Sequence, residues 1–351
     1  MSLPFMPVFR LNMRYREVIR EIRKIDGELS RMVLSDADYS TLVVGTYSTN
    51  VHWSVKVEGN SLPIQEVRRL SMLFSRGDVD EPLDSNKREI FNHMYSYFAK
   101  DEFSLPWNVG TIKELHRRLM ENVDRKEQLG EFRDEPTSFV GKDGQDYYIA
   151  CPPAKIDEEM DSLMEWLRSS PYDELITSIV FLEAFESIHP FKVGNGRVGR
   201  TLFQMLLHEM GLRNSKLCRI DEELLSDDGT YYSLLIYTEA TRDYCPLIMF
   251  VAESLLRSYR KAFEMFSEKD LVPRMDGYML EIVRNAKAVD NFTVMDASNW
   301  LTGISEQSVR LKLKALTEMD VLEKTGQTRS QRYSFKDPFR RLRKELTGQS
   351  R

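Results

Sequence analysis

Residues 172–188 constrain the fold of this chain more than any other segment, because they are apolar on nearly every face of a helix. A helix without a polar face has to lie in the middle of other helices. Segments 14–32, 87–98, 112–123 and 157–168 can supply those neighbours, since apolar residues recur in them at helical spacing. The sequence therefore predicts a mainly α fold built as a helical bundle.

Composition and cysteine usage narrow the class of protein. The chain has 351 residues, of which 42% are hydrophobic and 30% are charged, as in ordinary globular proteins with room for two or three domains. Its three cysteines are scattered without a CxxC pair, which indicates reduced thiols rather than a disulfide framework or a zinc site. With no signal-peptide pattern and no apolar run as long as a membrane span, we expect a cytoplasmic protein that does not enter a membrane.

A break in the helical pattern predicts one β-hairpin. Residues 138–141 and 146–149 are short aromatic and β-branched runs on either side of Lys-Asp-Gly-Gln. An Asp-Gly pair between such runs is typical of a tight hairpin turn. No other clear hairpin pattern occurs in the first 260 residues, so these strands are not expected to belong to a large sheet.

The apolar helix leads into a helix-loop-helix joint with the sequence HPFKVGNGRVGR, residues 189–200. Pro190 ends the first helix, because a residue that precedes proline is pushed out of the α region. The next helix is predicted over residues 196–210. His189 therefore lies at the C-terminal end of one helix, and Gly194-Asn195-Gly196 lies at the start of the next.

The start of the second helix has the features of a phosphate site. Free N–H groups and the positive end of the helix dipole attract anions, and glycines let the backbone approach them closely. Arg197 and Arg200 share one face of the first turn, where each cation opposes the dipole by about 0.3–1 kcal/mol unless an anion lies between them. A polyphosphate would satisfy the N–H groups and both guanidinium groups together. The alternative is that the two arginines pair with carboxylates of a neighbouring helix.

His189 is the candidate general base of the joint. The ordinary pKa of an imidazole is about 6.5, and a helix C-terminus favours the charged form, which predicts a raised pKa. The alternative is a core histidine that hydrogen-bonds to the backbone, which is what we expect of His93, His116 and His208.

Residues 189–200 resemble the signature of Fic-domain proteins, which reads His-Pro-Phe, any residue, an acid, then Gly-Asn-Gly-Arg-x-x-Arg. Only the acid is missing, because Val193 stands in its place. The sequence GEFR at 130–133, followed by the hairpin and Cys-Pro-Pro, is similar to the flap region of that family. Tyr232 lies where the family carries a tyrosine beside the adenine. The resemblance covers residues 1 to about 260.

The resemblance implies transfer of AMP from ATP to a Ser, Thr or Tyr hydroxyl of a target protein, with pyrophosphate leaving. It implies that His189 deprotonates the hydroxyl and that Phe191 anchors the loop. Asn195 and the neighbouring glycine backbone would hold the α-phosphate, and the two arginines the β- and γ-phosphates. The implied nucleotide-binding set is Gly194, Asn195, Gly196, Arg197, Val198, Gly199, Arg200 and Tyr232. The hairpin would align the target by strand addition, and a homodimer is possible.

The segment SVKVEGN, residues 54–60, resembles the inhibitory helix of the same family. Ser54 and Glu58 are expected at i and i+4 on one face of a short helix, about residues 50–59, which Gly59 ends. The resemblance implies that the Glu58 carboxylate pairs with Arg200 in place of the γ-phosphate. The alternative is an exposed helix end with a glycine cap.

Val193 leaves the metal ligand open. The family acid holds the Mg²⁺ or Mn²⁺ that bridges the phosphates of ATP, and an isopropyl group cannot ligate a hard cation. The phosphates, water and another carboxylate could hold the metal, transfer could be slow, or the site could bind nucleotide without transferring AMP. Altered transfer and removal of AMP, which occur in some members of the family, are further alternatives.

The C-terminal part of the chain has a pattern of its own. Three helical segments and a two-stranded ribbon within 274–338 resemble a winged helix-turn-helix module. Candidate contact residues are Gln307, Arg310 and Lys314 on the recognition helix and Arg329 and Arg332 on the wing. Residues 300–351 carry twelve Lys or Arg against six Asp or Glu in a chain of net charge −6. This favours a DNA partner, while winged helices also dock proteins.

The predicted organisation has four parts. A helical region at 1–105 carries the inhibitory segment, and 106–268 forms the catalytic core with the flap hairpin at 137–149. The winged helix at 274–338 precedes a basic tail at 339–351. The predicted function is a protein adenylyltransferase inhibited by Glu58. The alternative is a nucleotide-binding regulator that docks DNA or protein and has a degenerate site.

Overall fold

The computed structural model describes residues 7, 9, 10, 12–78, 83–99, 103–140, 146–227, 229–327 and 330–346. The predicted hairpin turn at 142–145, the wing residue Arg329 and residues 347–351 of the basic tail lie outside this description. The chain divides into two compact units. One comprises 1–27, 44–262 and 342–351, and the other comprises 28–43 and 263–341.

Helices dominate the described residues, as predicted. In chain order they are α1 (Met13–Leu29), α2 (Asp36–Lys56), α3 (Ile64–Arg76), α4 (Ser85–Phe98), α5 (Val109–Met120), α6 (Ile156–Ser169), α7 (Glu174–Ile188), α8 (Asn195–Glu209), α9 (Ile220–Leu225), α10 (Thr230–Thr241), α11 (Cys245–Ser267), α12 (Gly277–Ala286), α13 (Val294–Trp300), α14 (Glu306–Glu318) and α15 (Arg340–Leu346). No helix in the described part of the chain is long and apolar enough to cross a membrane.

The apolar helix α7 lies at the centre of the first unit. Thirteen of its fifteen residues are buried, and it packs against α6, α8 and α10. The surrounding core contains fully buried side chains such as Phe181, Phe185 and Leu202. Each large apolar side chain that is fully buried contributes about 1.5–3 kcal/mol, which explains why a helix without a polar face is stable only here. The prediction of a helical bundle around this segment is confirmed.

The two strands of the predicted flap hairpin are present. Strand β1 (Ser138–Val140) pairs antiparallel with β2 (Asp146–Ile149), so that Ser138 lies opposite Ile149. The register shifts after Phe139, as in a β-bulge. The two strands form a sheet of their own, in agreement with the sequence.

The second unit has the predicted order of three helices followed by a two-stranded ribbon. Helix α14 begins after Ser305, whose hydroxyl accepts a hydrogen bond from the Ser308 N–H, as expected of an N-cap. Strand β3 (Leu322–Thr325) pairs antiparallel with β4 (Arg332–Phe335). Buried residues of all five elements form one core, among them Ile282, Ala297, Val309, Leu313, Leu322 and Tyr333.

The helix that carries the inhibitory segment differs from the prediction. It is not a short helix at 50–59 but the end of α2, which is 21 residues long and stops at Lys56. Glu58 lies in the turn that follows, where Gly59 has φ = 101° and the Asn60 N–H donates to the Val55 carbonyl. The turn needs a residue in the left-handed region, and glycine adopts it without steric cost.

Candidate active site

The joint between α7 and α8 places the candidate base at a sharp turn. His189 caps α7 in the left-handed region, with φ = 50°, and its N–H donates to the Phe185 carbonyl over 2.9 Å. Gly194 caps the start of α8 with φ = 80°. A Cβ at Gly194 would lie 2.7 Å from the Met120 sulfur, so both the conformation and the space require glycine. The chain therefore presents one helix end to another across residues 190–193.

Asn195 and Phe191 hold the loop between the two helices. The Phe191 N–H donates to the Asn195 side-chain oxygen (2.9 Å), and the Asn195 amide donates to the Phe191 carbonyl (2.7 Å). The Phe191 ring is fully buried, as predicted for a loop anchor. The Asn195 side chain thus bonds to the loop through both its oxygen and its nitrogen. Its contact with an α-phosphate stays a prediction.

His116 ties the same loop to the base of the flap. Its Nδ1 accepts a hydrogen bond from the Gly130 N–H (2.9 Å), so Nε2 carries the proton and donates to the Val193 carbonyl over 3.1 Å. The imidazole also stacks on Phe191, with 3.9 Å between the ring centroids. His116 is therefore the backbone-bonded histidine that the sequence predicted, and it fixes the loop at Val193.

The N-terminus of α8 lies beside a carboxylate of the chain itself. The first helical hydrogen bond runs from the Val198 N–H to the Gly194 carbonyl, so the N–H groups of residues 195–197 have no intrahelical acceptor. The Glu58 carboxylate lies against Gly196, where a Cβ would overlap its Oε1. Glycine at 196 therefore allows a carboxylate to reach this helix end.

Arg200 binds the inhibitory segment at three points. Its Nε donates to the Ser54 hydroxyl (2.9 Å), and its Nη2 donates to the Ser54 carbonyl (2.8 Å) and to Glu58 Oε1 (2.9 Å). The Arg200 side chain is 1% exposed and that of Glu58 is 24% exposed. Burial acts to raise the pKa of Glu58, but the charges of Arg200 and Arg197 outweigh it and lower that pKa. The Glu58 carboxylate is therefore ionised at neutral pH.

Arg197 pairs with a different carboxylate. It donates to Glu89 on α4, and the other Glu89 oxygen accepts from the Asn60 amide over 2.6 Å. Burial raises the pKa of Glu89, although Arg197 opposes the shift. Both arginines thus meet carboxylates from outside α8, as the alternative for this pair proposed. The buried Nε of Arg197 still has no hydrogen-bond partner among the described residues.

The pKa of His189 moves in the direction opposite to the prediction. Burial and then the Arg133 charge lower it to about 4, whereas the sequence predicted that the helix end would raise it. Desolvation of the imidazolium lowers this pKa by more than the helix dipole raises it, because the dipole contributes only about 0.3–1 kcal/mol at an exposed site. The imidazole is therefore neutral at pH 7 and able to accept a proton.

Three other predicted site residues have different surroundings. Tyr232 is 38% exposed and lies near Arg200. Burial raises the pKa of its phenol, and the Arg200 charge acts to lower it. The Val198 side chain is fully buried in the core, and its N–H bonds to the Gly194 carbonyl. Gly199 faces α7, where a Cβ would lie 2.7 Å from a Glu186 oxygen. Val198 and Gly199 therefore pack the two helices together, and their contact with a nucleotide stays a prediction.

Arg133 and Asn60 belong to the motifs GEFR and SVKVEGN, but the sequence indicates no individual role for them or for Glu89. Arg133 bonds to the end of α7, and Glu89 and Asn60 position Arg197. Their partners lie far away in the sequence, so only the tertiary structure reveals these contacts.

Position 193 provides no metal ligand. The Val193 side chain is 40% exposed, and an isopropyl group has no lone pair for Mg²⁺ or Mn²⁺. Within the described ranges no group of three or more His, Cys, Asp or Glu side chains could hold a metal ion. Lys192 beside it is exposed and lies 3.8 Å from Glu135. The residues present therefore do not fit the metal site that the signature carries.

Comparisons with known proteins agree with this geometry. Residues 106–207 match the Fic/DOC family model. The chain is 42% identical over 64 residues to a probable protein adenylyltransferase of Aquifex aeolicus, which is 18% of this chain and 20% of that protein. It is 24% identical over 207 residues to the protein adenylyltransferase fic-1 of Caenorhabditis elegans, which is 56% of this chain and 38% of that protein. The matches thus span about a fifth to two fifths of these relatives.

The fold also matches solved structures. A Fic family protein from Desulfovibrio desulfuricans G20 superimposes with a TM-score of 0.63 at 20% identity, over 95% of this chain and 98% of that one. At this identity the likeness supports the fold, and the sequence match over 106–207 supports the family. The His189-to-Arg200 joint lies within the matched region, towards its C-terminal end, and residues 106–207 of this chain form a Fic/DOC domain.

Proposed function

We propose that the chain is a protein adenylyltransferase that transfers AMP from ATP to a hydroxyl of a target protein and is inhibited by its own Glu58. The observation that carries the proposal is the Glu58 carboxylate at the N-terminus of α8, in contact with Gly196 and Arg200. A helix end beside a carboxylate that Arg200 binds, together with a neutral imidazole, has the parts that phosphoryl chemistry needs.

The residues divide the reaction between the two helix ends. His189 accepts the proton of the attacking hydroxyl, and the hydroxyl oxygen forms a bond to the α-phosphorus. The bond between that phosphorus and the bridging oxygen of pyrophosphate breaks, and pyrophosphate leaves with its electrons. The α8 N-terminus and Arg200 stabilise the negative charge of the phosphate chain. The buried Nε–H of Arg197, which lacks an acceptor among the described residues, offers a further donor.

Inhibition follows from competition for one guanidinium. Arg200 is 1% exposed, and its Nη2 bonds to Glu58. A phosphate that takes this position has to displace the carboxylate, because two anions in one desolvated site repel each other. Glu58 therefore lowers the affinity for the productive triphosphate, and its removal is expected to release the site.

Labelling with ATP tests both parts of the proposal. Wild type, Glu58→Ala and the double variant Glu58→Ala/His189→Ala are incubated with ATP labelled in the α-phosphate, in Mg²⁺ or Mn²⁺, and label on protein is counted. We expect at least tenfold more label with Glu58→Ala than with wild type, and background with the double variant. Glu66→Ala is the matched control, because Glu66 also pairs with an arginine, but that arginine, Arg69, is 44% exposed whereas Arg200 is 1% exposed. Equal labelling by wild type and Glu58→Ala would remove the inhibitory role.

Val193 supports a second candidate function, a regulator that binds nucleotide without transferring AMP. The lack of a metal ligand at this position weakens transfer more than binding, because the phosphates also contact α8 and Arg200. The same variants separate the two functions if ATP binding is measured by calorimetry. Tighter binding by Glu58→Ala with no label on protein in any variant would favour the regulator.

A further inference from the structure

Arg133 connects the two ends of the flap hairpin with the end of α7. Its guanidinium donates to the carbonyls of Glu135, before β1, and Cys151, after β2. The same group donates to the carbonyls of Ile188 (3.2 Å) and His189 (2.7 Å). The Arg133 N–H adds a bond to the Pro190 carbonyl over 2.9 Å. One buried side chain, 6% exposed, therefore joins the flap to the catalytic joint.

Only arginine has the donors that this position needs. Its planar group carries five N–H donors in a fixed fork, whereas lysine has three donors on a single rotating nitrogen. The carbonyls of Ile188 and His189 are among the last of α7, where the helix dipole favours a cation. Two of these acceptors belong to the helix end and two to the flap, so the fork fixes one relative to the other.

We propose that Arg133 is a positioning residue that sets the distance between a target segment on the flap and the His189 imidazole. The inference rests on the proposed function, in which the target pairs with the hairpin by strand addition. The hairpin has no large sheet to fix its position, since β1 and β2 pair only with each other among the described strands. The base of the hairpin therefore depends on side-chain contacts such as those of Arg133.

Two charged groups act on His189. The Arg133 charge lowers the pKa of the imidazole, and the Glu58 charge raises it, while burial has the largest effect. A variant that removes the guanidinium therefore raises this pKa, and a variant that keeps the charge but loses the fork changes it less. This difference separates the charge of Arg133 from its hydrogen bonds.

The experiment uses Arg133→Lys and Arg133→Gln in the Glu58→Ala background, with Arg125→Gln, an exposed arginine, as the control. Three quantities are measured: AMP transfer to protein, the dissociation constant for ATP, and the titration of His189 by NMR of ¹³C-labelled histidine. The chain has five histidines, and a His189→Asn spectrum assigns the signal. A thermal melt of each variant shows that it is folded.

Both variants are expected to reduce transfer at least tenfold while ATP affinity stays within about twofold. In Arg133→Gln the His189 pKa should rise by about one unit, and in Arg133→Lys it should stay close to that of the parent. Should Arg133→Gln fail to fold, Arg133→Lys alone decides through its transfer and ATP affinity. Transfer within twofold of the parent, or an equal loss of transfer and ATP affinity, would overturn the inference.

Failure of the positioning role of Arg133 can be distinguished from failure of the proposed function. If Glu58→Ala transfers no AMP, the proposed function fails, and hydrogen exchange of the hairpin amides decides about Arg133. Exchange from β1 and β2 that is equally slow in the parent and in Arg133→Lys then overturns the positioning role.

Discussion

Gly199 shows how a single residue sets the distance between the two helices of the site. A Cβ there would lie 2.7 Å from Glu186 Oε1, 3.1 Å from Phe185 and 3.3 Å from Leu182. Gly199→Ala should therefore lower the free energy of unfolding by about 1–3 kcal/mol, because α7 and α8 must move apart. Urea denaturation measures the change.

Gly27→Ala is the control for that substitution. Gly27 is also helical, but nothing lies within 4 Å of the Cβ position. Alanine should stabilise the protein there by about 0.5–1 kcal/mol, since it lowers the entropy cost of the helix. The same sign for both substitutions would contradict the packing explanation for Gly199.

The lowered pKa of His189 predicts the pH dependence of transfer. A base has to be neutral, and the pKa of about 4 keeps His189 neutral well below the ordinary value of about 6.5. Loss of Glu58 removes a charge that raises this pKa, so the variant should stay active to even lower pH. We expect kcat/KM of Glu58→Ala at pH 5.5 to remain within about twofold of its value at pH 7.5. A decline with a midpoint near 6.5 would show that the imidazole is solvated.

For single residues, the sequence predicts which side chains form the site better than it predicts the burial and charges around them. The positions of His189 and Arg200 follow from the spacing of the joint, and the family resemblance implies that of Glu58; the structure brings all three side chains to one site. The direction of the His189 shift does not follow from spacing. It depends on burial and on Arg133, which is distant in sequence and close in space.

At the scale of elements, helix α14 carries the predicted recognition surface of the second unit. Its basic side chains pair with carboxylates: Arg310 with Glu306 (2.6 Å) and Lys314 with Glu318 (3.7 Å). Leu311 between them is 62% exposed. Because these cations already pair with carboxylates of the same helix, the net positive charge that they offer to phosphates is small.

We therefore predict that Arg310→Gln/Lys314→Gln leaves the affinity for duplex DNA within about twofold and does not change its salt dependence. Fluorescence anisotropy over a range of salt concentrations provides both quantities. If α14 contacts phosphates, the double variant should bind more weakly and its salt slope should fall by about two. That outcome would favour the DNA partner over a protein partner.

Helix ends were predictable where caps and breakers mark them. The bounds of α7 and α14 lie within two residues of those predicted, since caps and breakers such as Ser305 and Pro190 mark them. Helix α2 was missed as a long helix. It contains Gly45 and many β-branched residues, which have low helix propensity, and tertiary packing outweighs that preference.

At the scale of the whole molecule, buried groups of opposite character determine how stability depends on pH. Burial lowers the pKa of His93 to about 3 and of His116 to about 4. Because of these two groups, the free energy of unfolding decreases as pH falls below about 6.5. Burial raises the pKa of Glu186 and Asp221 to about 7. Because of these two groups, the free energy of unfolding increases as pH falls through 7. The two effects oppose each other between pH 7 and pH 5.

Glu186→Gln should expose the histidine effect. The amide resembles the protonated acid, so the variant should be more stable than wild type at pH 8, by about 1–3 kcal/mol, and lose that advantage by pH 5. Urea midpoints at both values test this expectation. An advantage of the variant that is equal at pH 8 and pH 5 would mean that Glu186 does not titrate in the folded protein.

The proposed function requires that the joint transfers AMP and that Glu58 inhibits the transfer. The most direct measurement compares protein labelling by Glu58→Ala from ATP that carries ³²P in the α-phosphate with labelling from ATP that carries it in the γ-phosphate. We expect α-label on protein, matched by released pyrophosphate, and no γ-label above that of Glu58→Ala/His189→Ala. Label from the γ-phosphate, or no label from either position, would contradict the proposed function.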